Sequence, residues 1–413
     1  MSIELPDSGS GLLHTFGYVT VATMVAAEPD STPGITQNFV DALAERAQAA
    51  EQLRRLPDQT LADAVASGFL EYLVPKRFGG REEKFPAILD PIRRMAHGCV
   101  SSAWTLGFYT LHNWLLALFP EQAQVEAYGS GPFLCPAPLA PTGRGIPADG
   151  GITLSGRWSW ATGVMGGNWI MVGALCGPDD GLYPALALLP ATDITIDDVW
   201  HTEGMRATGS NDVVIQGAHV DDHRLVRSFD INSGSAPGTA LHDATTYRGP
   251  LVPALALAAS MPALGAAERA TDIYADRLES RILLYEGGAR QQDKPIAQAH
   301  LAHARVRLRA LRGLLDDTVA EIESLLDAGT PVQVPVRAQA RLAAAYIVRE
   351  SRTIIADLLH ASGASVHFTD HPMQRLKRDV DVLSGHVVFD YDTSRELAGA
   401  TALGLKAPRT ALL

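Results

Sequence analysis

The residues in this chain that could carry chemistry are scattered histidines, two tryptophans two positions apart, and hydroxyls in glycine-rich loops. His360, His367 and His371 cluster ahead of His386, but no cysteine or carboxylate pattern completes a metal site around them, and none is expected. A histidine titrates near neutrality and can give or take a proton there, so His112 and His386 are candidates for proton work. His112 and Trp114 fall in an apolar stretch. Either they pack there, or His112 binds a polar group of a small molecule with Trp114 as a wall. Trp158 and Trp160 share one face if the strand that carries them is regular. Either both border a ligand, or the strand ends between them and Trp160 alone does; the second is expected. The usual cofactor signatures are missing: no GxGxxG opens a helix after a strand, and GxxxxGK[ST], HExxH and paired CxxC do not occur.

Three kinds of segment would have to position these residues. Residues 1–33 are punctuated by Gly9, Gly11, Pro29 and Pro33 and read as a flexible N-terminal arm. Helical periodicity begins at Gln37, with Phe39, Leu43, Ala47, Ala50 and Leu53 at three- and four-residue steps. Further helices are expected at 59–73, 88–97, 101–119 and 121–128, which makes 34–130 a helical domain. From Gly131 the pattern turns to short strands. Asp149-Gly150 is a hairpin signal, and 169–175, 183–189 and 212–220 are strand-like runs separated by Gly and Pro. Residues 131–227 are read as a β domain. The remainder, 228–413, reads as a C-terminal bundle of roughly four long helices, with Ala344, Ile347, Ser351, Ile354 and Leu358 tracing one face up to Gly363.

The composition, 46% hydrophobic and 19% charged, suits a globular chain with a large core. A net charge of −12 repels phosphate backbones, so no nucleic-acid partner is expected. Cys99, Cys135 and Cys176 are too few and scattered for a disulfide framework. The N-terminus shows no basic segment leading into a continuous apolar stretch, and no apolar run of about 20 residues reads as a membrane span. A cytoplasmic protein with no membrane partner is expected.

Four stretches resemble the acyl-CoA dehydrogenase superfamily. They are Leu73-Val74-Pro75 with Phe78-Gly79-Gly80, the loop from Ser155 to Gly163, the loop from Gly204 to Asp212, and Gln374 to Asp379 with His386, which resembles the loop before the last helix. The resemblance implies an α+β multidomain fold of acyl-CoA dehydrogenase type. Its parts are an N-terminal helical domain, a middle β-barrel or sandwich domain and a C-terminal four-helix bundle through which homotetramers form. Within that superfamily the details are similar to the oxygenase components of two-component flavin monooxygenases. Ser155-Gly156-Arg157-Trp158 and Gly204-Met205-Arg206-Ala207-Thr208-Gly209-Ser210 match the flavin loops of that branch. His112-Asn113-Trp114 fits its H-x-W, and Pro141-Thr142-Gly143-Arg144 its APTGR turn.

Proteins of that branch take reduced flavin, FMNH2 or FADH2, from a separate flavin reductase and use O2 as co-substrate. Through a peroxyflavin they hydroxylate a small molecule, here expected to be aromatic or heteroaromatic. The resemblance implies flavin contacts from Trp160, Ala161, Thr162, Arg206, Thr208 and Ser210, with Thr162 standing where the family has serine. Its extra methyl stiffens the rotamer. Arg281 and His360 are expected at flavin-phosphate or subunit-interface contacts. His386 would donate to the developing peroxide, Thr162 would hold the flavin edge, and His112 and Trp114 would meet the substrate. Oxygenation of an amine nitrogen and acyl-CoA dehydrogenation are the alternatives. The second needs a glutamate base, and neither 380–394 nor 248–267 contains one.

Overall fold

The computed structural model describes residues 34–408 and Ala411; the arm expected at 1–33 lies outside them. Helix α1 (Gln37–Leu53) starts where Thr36 Oγ1 accepts the Phe39 N–H, and it buries the periodic set Phe39, Leu43, Ala47 and Ala50. Helix α2 (Asp58–Ala66) stops well short of the expected residue 73. Gly68 adopts a left-handed φ of 67° and Ser67 Oγ accepts the Phe69 N–H, so the chain leaves in a 3-10 turn. Helices α3 (Leu89–Gly98), α4 (Val100–Leu116) and α5 (Glu121–Gly129) follow. Helix α4 is buried nearly all round, and its Thr105, Thr110 and Asn113 side chains donate to carbonyls of the preceding turn.

Seven strands come next: β1 (Gly143–Ala148), β2 (Gly151–Ala161), β3 (Trp169–Cys176), β4 (Tyr183–Pro190), β5 (Thr195–Asp197), β6 (Asn211–Asp221) and β7 (Leu225–Arg227). They form one sheet in the order β5-β6-β2-β1-β3-β4-β7. Only β1 and β3 run parallel within it. The expected barrel or sandwich thus takes the form of a single mixed sheet. One face packs its own core through Leu154, Trp158, Ile170, Val172 and Val213. On β3 and β4 the other face, with Met171, Leu186 and Leu188, joins the helical core.

The chain then forms a short helix, α6 (Ser228–Ser233), before α7 (Leu251–Ser280). A hairpin of two-residue strands, β8 (Ile282–Leu283) and β9 (Ala289–Arg290), leads to α8 (Pro295–Asp327), then α9 (Val334–Ser362), α10 (Pro372–Leu383) and α11 (Tyr391–Ala402). The C-terminal region therefore has three long helices rather than four. The fourth place is shared by α10 and α11, two helices of 12 residues each, and the break between them carries His386. Helix α7 corrects a second expectation, since by length and composition it could span a membrane. Its residues are instead mostly buried against α3, α4 and α9. Its Glu268, 3% exposed, is engaged by Arg93 and His97 of α3 and Arg312 of α8. A carboxylate so buried is tolerable only when paired in this way.

Candidate active site

Helix α4 sets the geometry. Trp104, Phe108 and His112 recur every fourth residue and so lie on one face. Their rings form a ladder, with centroids 4.8 Å apart from Trp104 to Phe108 and 5.5 Å from Phe108 to His112. The break between α10 and α11 brings two more rings to the same end. His386 lies 5.6 Å from Trp104 in an edge-to-face arrangement, and Phe389 lies 6.0 Å from His386. Arg341, on α9 and 2% exposed, holds that turn by donating to the carbonyl oxygens of Val387 and Val388.

The two histidines are held in different tautomers. His112 Nδ1 lies 2.5 Å from the carbonyl oxygen of Cys135. A carbonyl only accepts, so Nδ1 carries the proton and Nε2 keeps its lone pair. His386 Nδ1 accepts the Val388 backbone N–H at 3.3 Å. There Nδ1 is bare, and Nε2 carries the proton and points away from its own turn. Burial pushes both rings down to about 4, so both are neutral in the physiological range.

The two glycine-rich loops meet beside Trp104. In β2 the register passes from Trp158 opposite Val213 to Ala161 opposite Asn211, so Ser159 and Trp160 together face Asp212. This bulge puts Trp158 in the sheet core, 1% exposed, and turns Trp160 out, 65% exposed. The strand bulges where it was expected to end, with the expected consequence. Trp160 has φ of 66°, an unusual conformation for a bulky residue, and its N–H donates to Asp212. Beyond it, Thr162 is half-buried and its Oγ1 accepts the Trp104 indole N–H at 3.3 Å. Thr162 Oγ1 also lies 3.1 Å from Ser210 Oγ, which lies 2.7 Å from Thr208 Oγ1. Gly163 locks the loops together: its N–H donates to the Thr208 carbonyl and its own carbonyl accepts the Tyr109 hydroxyl. Asp379 accepts the Met205 N–H at the head of the second loop.

The structure thus brings together Trp160, Thr162, Thr208, Ser210, His386 and His112. Arg206 joins them in the second loop, half-buried, with its Nε buried and without a hydrogen-bond partner. Two expected site residues do not fit as expected. The Ala161 side chain is fully buried in the sheet core, which leaves only its backbone to touch a ligand. Trp114 is two residues from His112, about 200° round the helix. It packs among Phe85, Pro253 and Leu257, and its indole N–H donates to the Thr246 carbonyl at 2.7 Å. Arg281 and His360 lie at the far ends of α7 and α9 and make no contact with these loops among the described residues. There Arg277 and Arg281 both donate to the Ser362 carbonyl, and His360 is exposed. Trp104, Tyr109 and Arg341 escaped the sequence reading, and Asp379 entered it only as the end of a matched stretch. The four-residue spacing of Trp104, Phe108 and His112 was the available signal.

The site fits a flavin. It offers an outward-turned tryptophan on strained backbone, a half-open hydroxyl and a guanidinium whose buried nitrogen lacks a partner. It does not fit proton abstraction by a carboxylate. Asp381 is paired with Arg352 and Lys377, Asp390 caps the Thr393 N–H, and Asp392 pairs with Arg395. Glu268, just beyond Ala267 on α7, is locked in its ion cluster.

Comparison with known proteins agrees with this geometry. Residues 257–391 match the family model "Acyl-CoA dehydrogenase, C-terminal domain". The oxygenase subunit HsaA of a flavin-dependent monooxygenase from Rhodococcus jostii is 31% identical over 365 residues, 88% of this chain and 96% of that protein. The oxygenase component of an FADH(2)-dependent resorcinol hydroxylase from Rhizobium sp. is 28% identical, covering 90% of this chain and 94% of that one. The structure of XiaF from Streptomyces sp., in complex with FADH2 and glycerol, superposes with a TM-score of 0.85 at 25% identity, over 91% of this chain and 97% of that one.

Proposed function

The chain belongs to the oxygenase components of flavin-dependent monooxygenases, and we propose that it hydroxylates a small phenol or related heteroaromatic held between His112 and His386. The observation that carries this reading is the pair of neutral histidines in different tautomers on one ladder of rings. Reduced flavin, supplied by a separate reductase, activates dioxygen when bound. The rest falls to this chain's own groups. His112 Nε2 accepts the ring hydroxyl of the substrate. Burial makes it a weak base, but a phenolic proton becomes strongly acidic once the ring has taken up an electrophilic oxygen, so a weak base in contact suffices. Its Nδ1–H stays on the Cys135 carbonyl, which fixes the ring plane. His386 presents Nε2–H at the Trp104 end, where a hydrogen bond to the arriving oxygen opposes its loss as hydrogen peroxide. Trp104, Phe108 and Phe389 supply apolar walls, and apolar walls exclude water from such a site.

Thr162 and Trp160 would meet the flavin ring, and Arg206 its anionic portion. Arg277 and Arg281 have no ion-pair partner among the described residues and converge on one carbonyl, a setting for a phosphate. In a homotetramer of this chain, that patch would serve the flavin of a neighbouring subunit.

The test is to add 18O2 to the anaerobic protein with reduced FMN or FAD and a set of monocyclic phenols and anilines. One 18O atom should appear on a ring carbon of a phenol product. His112→Ala should abolish that product while hydrogen peroxide release continues. Oxygen found only on the nitrogen of an aniline would replace this reading with amine oxygenation.

A further inference from the structure

The hydroxyls beside Thr162 form a chain with one direction. At its far end the Met205 carbonyl can only accept, and it takes the Thr208 hydroxyl proton at 2.8 Å. Each hydroxyl has a single proton. With that of Thr208 spent, the 2.7 Å bond between Thr208 and Ser210 must use the Ser210 proton. The 3.1 Å bond between Ser210 and Thr162 then takes the Thr162 proton. At the near end, Trp104 Nε1–H can only donate, and it fills one lone pair of Thr162. Thr162 is left with one lone pair and no proton to offer a ligand. Trp104, Ser210 and Thr208 are 6%, 4% and 2% exposed, which leaves little room for water to reverse the order.

We propose that Ser210 and Thr208 are positioning residues that fix Thr162 as a hydrogen-bond acceptor toward bound flavin, so that the site selects the reduced over the oxidised cofactor. This rests on the reading that Thr162 faces the reacting edge of the flavin. At that edge, reduced flavin carries an N–H on the ring nitrogen beside the reacting carbon; oxidised flavin carries a bare lone pair there. The Thr162 lone pair accepts from the first and opposes the second. Only breaking the Thr162–Ser210 bond would let oxidised flavin be received as well. Trp104 aims the remaining lone pair, and the threonine methyl keeps the rotamer from turning. An oxygenase that receives reduced flavin from a reductase benefits directly, because spent oxidised flavin is a poor competitor for the site.

The experiment measures dissociation constants for FMN and FAD, oxidised in air and reduced under anaerobic conditions, on the full-length protein and its variants. Ser210→Ala removes the acceptor of the Thr162 proton. Thr208→Val releases the Ser210 proton to point back at Thr162. Both should tighten oxidised-flavin binding about fivefold, the scale of one hydrogen bond. Ser210→Ala should leave reduced-flavin binding nearly unchanged, and Thr208→Val, whose Ser210 proton fills the last Thr162 lone pair, should weaken it by a similar factor. Thr208→Ser, which keeps the hydroxyl, should keep the parental selectivity. Thr162→Val should weaken reduced flavin by a similar factor. If Thr162→Val changes neither affinity, Thr162 does not face the flavin and the underlying reading falls. If it weakens reduced flavin while Ser210→Ala and Thr208→Val keep the parental ratio, the directional chain alone is overturned.

Discussion

Asp379 in α10 accepts the backbone N–H of Met205 at 2.6 Å, which pins the second glycine-rich loop of the sheet to the C-terminal helices. Met205 itself is left-handed, with φ of 52°, so the loop needs such an anchor. Burial pushes the Asp379 carboxyl up to about 6, from 3.8 in an unstructured chain. Between those values the folded protein holds the extra proton, so this group adds stability as pH falls through 6. His112 and His386 act in the opposite sense. Their folded values near 4 lie below 6.5, so the unfolded chain binds their protons first and stability falls as pH drops from 6.5 toward 4. Comparing Asp379→Asn with the parent isolates the carboxyl, because both proteins share the histidines. The stability of the parent relative to the variant should rise by about 1 kcal/mol between pH 8 and pH 5. Thermal unfolding across that range checks it; a constant difference would show that Asp379 does not titrate there.

His386 acts in this scheme as a neutral hydrogen-bond donor. His386→Ala should leave flavin affinity nearly intact, lower product formation by on the order of 10²–10⁴ and raise hydrogen peroxide release. His386→Asn should recover part of the coupling, since an amide can accept from Val388 and still donate outward. Because neither histidine titrates near 6.5, the coupling ratio should stay level from pH 6 to pH 8. Product and peroxide assays at several pH values decide both points.

Arg341 reaches the same turn from behind. Arg341→Met would leave the Val387 and Val388 carbonyls without their charged donor, at a cost of about 1.5–3 kcal/mol for a bond of that kind. The expected signature is faster amide exchange over 384–390 and poorer coupling, with flavin affinity unchanged. Exchange that stays at the parental rate would show that the turn holds itself.

Gly163 is the tightest point between α4 and the first loop. Its φ is 76°, and a Cβ there would lie 2.6 Å from the Tyr109 hydroxyl and 2.8 Å from Thr105 Cγ2. Gly163→Ala should destabilise the protein by about 1–3 kcal/mol. It should also weaken flavin binding, because Thr162 is carried on the same peptide. Adding Tyr109→Phe removes the nearest atom and should restore part of the thermal stability, but not the loop position that the Tyr109–Gly163 bond maintained.

The α–β–α order and both glycine-rich loops were legible because periodicity and turn residues are local signals. The bulge at Trp160 was half legible: the expectation that Trp158 and Trp160 part company was right, but the strand continues to Ala161. Helical geometry alone should have separated Trp114 from His112. The break at Gly68 was missed because apolar spacing continued across it, whereas His386 lies, as expected, in the break before the last helix. Trp104 and Asp379 could not be assigned from sequence, since each acts across a long stretch of chain, on Thr162 and Met205 respectively. The tautomers depend on carbonyl and amide partners that no sequence pattern displays.

Trp104 and His112 sit eight residues apart on one buried helix, a rise of about 12 Å. That makes α4 a caliper with rigid jaws. One jaw is set against the flavin loops, the other is the one proposed to take the substrate's hydroxyl, and a hydrogen-bonded helix in a packed core does not stretch between them. Loop movement cannot lengthen the gap for a bulkier substrate. The span has to be re-cut by exchanging the side chain between the jaws, Phe108, while both gauge points stay where they are. Substrate range in this protein should therefore drift through that one rung far more readily than through the loops around it.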